Sequence, residues 1–246
     1  MTSTSDRGAP RALRWIAAAA GVAAGAYGAY VGATWVRYGA PPRPEPAEED
    51  PLLESFLPVY DVVERHHIRV AAPPDVALAA ARDMELDSSP IVRAIFKARE
   101  LILGAEPDAG TNRPTGLLPL TLSLGWGILA DMPGREVVVG AVTKPWEANV
   151  TFRSLPPAEF AAFAEPDYVK IAWTLRADPA GEGESTFRTE TRAVATSASA
   201  RTKFRRYWSF LSPGIIIIRW SMLSPLKADA ERRARAGRSP TAPRRA

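Results

Sequence analysis

Alternation with a period of two is the clearest signal in the chain. From Tyr168 to Ala177, Val169, Ile171, Trp173 and Leu175 fall on one side and Lys170, Thr174 and Arg176 on the other, as in a strand with one face on a core. Asp178 to Gly183 reads as a glycine-rich turn into a second such strand, Ser185 to Thr196. There Phe187 and Ala193 share one face, and Arg188, Glu190 and Arg192 share the other. Phe187, Thr189 and Thr191 suit an interior lining, because an inward row of charges would need mutual pairing; the charged row is expected to point outward. Val62 to Ala71 predicts an earlier strand, with Val62, Glu64, His66, Ile68 and Val70 together. Leu120 to Ala130 and Arg135 to Thr143 predict two more, joined by the turn Asp131-Met132-Pro133-Gly134, and Asn149 to Leu155 a further one.

Helical spacing takes over elsewhere. Pro74 at a first helical position opens a helix to Met84, with Val76, Ala77, Ala80 and Ala81 as its apolar side. Ser89-Pro90 opens a second helix that stops at Gly104, followed by a loop from Glu106 to Gly116. Pro156-Pro157 opens a short turn around Phe160 to Phe163. A long helical region, Ser199 to Arg235, closes the chain, with an interruption expected at Ser212-Pro213 and an apolar stripe of Ile215, Ile218, Met222 and Leu226. Strand, two helices, antiparallel strands and a long helix predict an α+β domain, in which a curved antiparallel sheet wraps around the C-terminal helix. Such a sheet leaves room for a cavity against that helix.

One segment is apolar without alternation. Trp15 to Val36 carries no charge, and as a helix it extends roughly 33 Å, enough to cross a hydrocarbon core of about 30 Å. Trp15, Trp35 and Tyr38 stand at its ends as interfacial anchors. Arg7, Arg11 and Arg14 precede it and acids follow it. Residues 15–38 therefore read as a transmembrane anchor, with residues 1–14 in the cytoplasm and the domain outside. A cleaved signal peptide, cut near Ala24-Gly25-Ala26, is the competing reading. Residues 39–51, rich in Pro and Glu, read as a stiff spacer, residues 52–235 as the domain, and residues 236–246 as a disordered basic tail. Tyr207 to Leu226 carries only Arg219 as a charge; it reads as the gripped helix, with membrane contact or a second span as alternatives.

Composition removes whole classes of chemistry. The chain has no Cys and two His, which excludes disulfides, cysteine nucleophiles, thiolate zinc and three-histidine metal centres. The net charge of +4 resides in the residues from Lys227 onward, so it describes a tail and not a nucleic-acid surface. No Gly-x-Ser-x-Gly elbow, His-Glu-x-x-His or phosphate-binding glycine loop occurs. His66 and His67 are adjacent in a strand and point apart. Glu64 shares a face with His66, a pairing that acid–base work requires but that an ordinary polar contact explains as well. No catalytic residue, metal ligand or cofactor is assigned.

The element order, together with the opening ERHHIRVAAPPDVALAAARDM, resembles the helix-grip superfamily. That group (SRPBCC) contains START lipid-transfer domains, the birch-pollen allergen fold and polyketide cyclases; the likeness is greatest to bacterial members of unassigned function. It spans roughly Glu64 to Arg235 and carries no catalytic signature. It implies an apolar or amphipathic ligand held between sheet and terminal helix. The residues expected to touch it are His66, Trp126, Trp146, Val169, Ile171, Trp173, Leu175, Phe187, Ile215, Ile218 and Met222. Trp126 enters because glycines flank it, marking a bend or close backbone approach, and Trp146 because it stands where a strand leaves the sheet. The resulting expectation is a membrane-tethered, non-enzymatic domain that binds a hydrophobic small molecule or lipid. The alternatives are a cyclase, dehydratase or hydrolase in the same cavity, and a ligand-free structural module of the cell envelope.

Overall fold

The alternating segments pair into a six-stranded antiparallel sheet in the computed structural model, which describes residues 9–85, 93–95, 97, 104 and 114–238. Its strands are β1 (Val62–Val70), β2 (Gly127–Met132), β3 (Glu136–Thr143), β4 (Phe152–Arg153), β5 (Val169–Gly181) and β6 (Glu184–Ala195). The order is β1-β6-β5-β3-β2, with β4 against the end of β3. Val62 pairs with Ala193 and Val70 with Ser185, so Glu64 and His66 fall on the same face as Thr191 and Thr189. The helices are α1 (Ala9–Arg37), α2 (Pro51–Phe56), α3 (Pro74–Asp83), α4 (Leu117–Ser123), α5 (Pro157–Ala162) and α6 (Ala198–Arg238).

Both faces of the sheet are covered. Val137, Val139, Trp173, Leu175 and Phe187 bury against α3, α4 and the far half of α6, through Leu78, Leu118, Leu223 and Leu226. Val138, Val142 and Ala172 turn the other way and bury with Leu53, Leu57 and Phe160 of α2, α5 and their flanks. For that reason β3 reads as a continuous apolar run where β5 and β6 alternate.

Four expectations change. Leu120 to Ser123 is helical, not strand: α4 buries Leu117, Leu118, Leu120 and Thr121, at the spacing of one helix face. Pro119 stands at its third position, where an amide would have no partner inside the helix. Second, α6 runs unbroken through Pro213 and Pro225. Third, residues 39–51 are not a free spacer. Gly39 N–H donates to the Asp61 carbonyl, Arg65 to that of Pro42 and Arg176 to that of Glu49. Proline removes donors, but the carbonyls remain available to the arginines on the sheet.

Fourth, the charged face of β6 points away from the cavity, and at Glu190 and Arg192 it does so without reaching water, while Arg188 pairs with Asp178 partly exposed. Arg192 is 1% exposed; it donates to Glu190 at 2.7 Å and to the Leu57 carbonyl, while Arg65 pairs with Glu190 from the other side. Residues 39–61 lie over this row and satisfy it. The helix expected from Ser89 to Gly104 falls almost wholly outside the described residues, as does the tail beyond Arg238.

Helix α1 is long and apolar enough to cross a membrane, and α6 passes the same test of length and composition. Residues 13–29 of α1 are exposed, after which the helix docks on α6. Tyr27 Oη donates to the Phe210 carbonyl at 2.7 Å, Tyr30 bonds Ser212 at 2.9 Å, and Arg205 donates twice to the Trp35 carbonyl. Asp61 ties the junction together: it accepts from Tyr38 Oη and Ala195 N–H and pairs with Arg201 at 2.9 Å.

Candidate ligand cavity

Between the sheet and α6 lies a cavity of about 810 Å³. Its floor is Ile171, Trp173 and Leu175 of β5 with Phe187, Thr189 and Thr191 of β6. Its roof is α6 from Phe204 to Leu226, including Ile215, Ile218 and Met222. Helix α4 closes one side through Leu117, Leu120, Thr121 and Leu124, beside Trp126 and Phe152. Tyr27, Leu124 and Phe210 also border it and are each almost half exposed, so the mouth lies beside the docked end of α1.

Trp126 owes its position to its neighbours. Gly125 has φ +97°, and a Cβ there would run into the Phe152 carbonyl oxygen; one on Gly127 would lie 2.9 Å from Ser154 Cβ. The chain thus passes tight against β4 and turns Trp126 onto Phe152, 4.9 Å between rings, and edge-on to Trp173 at 6.3 Å.

Of the eleven residues expected at the site, eight line the cavity: Trp126, Ile171, Trp173, Leu175, Phe187, Ile215, Ile218 and Met222. Three do not. Val169 is capped by Phe204 and Trp208, which close that end of the sheet. Trp146 packs on the same cluster with the Lys203 ammonium 5.5 Å from its ring. His66 belongs to edge strand β1, outside the cavity wall. Its Nε2 stands 3.9 Å from Glu64 and has no hydrogen-bond partner, and burial together with the nearby Arg219 charge lowers its basicity.

Arg219 is the feature the sequence disguised. It looked like a defect in an apolar stretch, yet it lines the cavity, donates to Thr189 Oγ1 at 2.9 Å and lies 5.3 Å from the Trp173 ring. Enclosure by protein pulls its pKa down to about 10, partly offset by the Glu64 charge, so it remains cationic at neutral pH. Tyr27 was hidden for another reason: nothing in an apolar span advertises contact with a distant helix.

No protein-family model and no curated protein matches the chain. Solved structures with a similar course of the chain include a hypothetical protein from Helicobacter pylori, at 8% identity over 72% of this chain and 93% of that one, TM-score 0.36. The ZhuI aromatase/cyclase from Streptomyces sp. R1128 shares 14% over 72% and 98%, TM-score 0.27. Ara h 8.0201 shares 10% over 68% and 96%, TM-score 0.20. The architecture is a helix grip. Its sheet, its long C-terminal helix and the space between them are those of such a fold; likeness at these values transfers no activity.

Proposed function

We propose that this chain is a membrane-anchored helix-grip domain of the SRPBCC kind that holds a hydrophobic small molecule or lipid without transforming it. The observation that carries this reading is the cavity itself. Ligand sites run about 300–1,000 Å³ and are mainly apolar with a few placed polar groups, a description that fits these walls and their volume of about 810 Å³. Among the described residues no Asp, Glu or His lines it, which supports binding over a cyclase-type reaction that relies on a carboxylate or imidazole. Tyr27 of the anchor helix at the rim supports exchange of ligand with a bilayer.

The test uses full-length protein in nanodiscs and a fluorescent fatty acid as the apolar probe. Uptake is expected to saturate, and Ile218→Trp, which fills open volume, is expected to abolish it while the protein still melts cooperatively. If Ile218→Trp instead lowers stability by the ~1–3 kcal/mol of an overpacked core, and the parent takes up no probe, the space is not a binding site.

A further inference from the structure

An arginine inside an apolar cavity is costly unless something meets its charge. Among the described residues Arg219 has no carboxylate within ion-pair distance. Thr189 takes one of its five N–H donors. Glu64 influences it from farther away, and burial raises that carboxyl toward its neutral form. Beside Thr189 on the same strand face, Thr191 Oγ1 is buried, lines the cavity and has no hydrogen-bond partner. Among the described residues the guanidinium thus keeps donors, and the Thr191 hydroxyl a hydrogen, that no group in the wall receives. Arg93 and Lys97 also border the cavity, but they are exposed, where water screens a charge.

These observations rest on the ligand-binding reading above and make it specific. We infer that Arg219, with Thr189 and Thr191, is the anchor for the acidic group of an apolar monocarboxylic acid. A guanidinium and a carboxylate match in shape as well as charge, and one fixed cation calls for one negative charge. A dianionic phosphate would leave its second charge without a buried cation among the described residues. To either side of Arg219 the α6 wall is apolar, with Leu211, Ile215 and Ile218 before it and Met222 and Leu226 after it, which suits a hydrocarbon body.

The experiment compares a fluorescent long-chain fatty acid with its methyl ester and with an alkyl phosphate of the same chain, on full-length protein in nanodiscs. The acid is expected to bind at least tenfold more tightly than the ester. Arg219→Gln, which keeps a donor for Thr189, is expected to bring the acid-over-ester affinity ratio to about one. Should Arg219→Gln fail to fold, the parent's acid-over-ester ratio decides, together with Thr191→Val, expected to lower that ratio about threefold. Equal binding of acid and ester by the parent overturns the anchor while leaving the apolar cavity intact. Tighter binding of the alkyl phosphate overturns the choice of carboxylate. Failure of all three probes removes both the anchor and the ligand-binding reading beneath it.

Discussion

Trp173 shows how one side chain serves wall and core at once. It is 5% exposed, touches Trp126 edge-on and carries Arg219 over its face. Because one side meets open volume, Trp173→Ala is expected to cost less than the ~3–5 kcal/mol typical of a filled site. Urea melts measure it; a cost in the full range would mean that the floor is packed solid. Glu136 lies on the opposite face, where burial and a hydrogen bond shared with Asp50 raise its pKa to about 8. Unfolded, this carboxyl ionises near its ordinary value, so between there and about pH 8 the folded protein binds a proton that the unfolded chain does not. The stability that proton contributes is complete below the unfolded pKa and is lost as pH rises through about 8. Melting temperature is therefore expected to fall from pH 5 to pH 8.5, and Glu136→Gln to flatten that slope. A parent profile as flat as the variant's would refute the shared proton.

At the scale of elements, α6 holds the domain shut. It buries Phe204 and Trp208 at one end and Leu223 and Leu226 at the other. Each such burial contributes roughly 1.5–3 kcal/mol, so losing four approaches the ~5–15 kcal/mol that stabilises a typical domain. Deleting residues 198–246 is expected to abolish the cooperative melt; an unchanged midpoint would show that the sheet stands alone. The elements were legible wherever one face is apolar and the other polar, buried or not: β5, β6, α3 and the stripe of α6 all announce their period. Legibility failed where two constraints overlap. Leu120 and Leu124 fit both periods, and only helix burial of Leu117 and Thr121 distinguishes them. The prolines of residues 39–51 looked like a spacer because nothing local names the sheet arginines that bind those carbonyls. The lining of β5 and β6 was readable from alternation, whereas Val169 and Trp146 were misplaced because aromatic residues of α6, distant in sequence, cover them.

For the whole molecule, if α1 spans a membrane as proposed, its docking onto α6 sets the distance from domain to bilayer. Phe210, which Tyr27 of α1 reaches, is exposed, as are Ile217 and Trp220 farther along α6; with α1 as the proposed anchor, this apolar row is expected to meet the bilayer. The chain has no native Cys, so Ile217→Cys accepts a single spin label cleanly. In nanodiscs that label is expected to be more accessible to oxygen than to a water-soluble nickel reagent, and the reverse would lift the domain off the bilayer. On the proposed anchored reading, arginines before the span favour an N-terminus in the cytoplasm. A reporter fused to the C-terminus is expected to work only outside it, and cytoplasmic activity would invert the topology.

The pairing of β1 with β6 also dictates an order of events during synthesis. Val62 finds its partner in Ala193, and Tyr27 and Tyr30 find theirs in α6, the last helix made. Closing so long a loop cannot begin until nearly all of the chain has left the ribosome, and contacts this distant in sequence form slowly. The early product is a chain with its apolar strands unpaired, exposed to chaperones and proteases until release. Nascent chains stalled at residue 197 are expected to be digested through the domain, whereas released full-length chains resist. A premature stop anywhere before α6 would therefore yield a quality-control substrate instead of a smaller working protein.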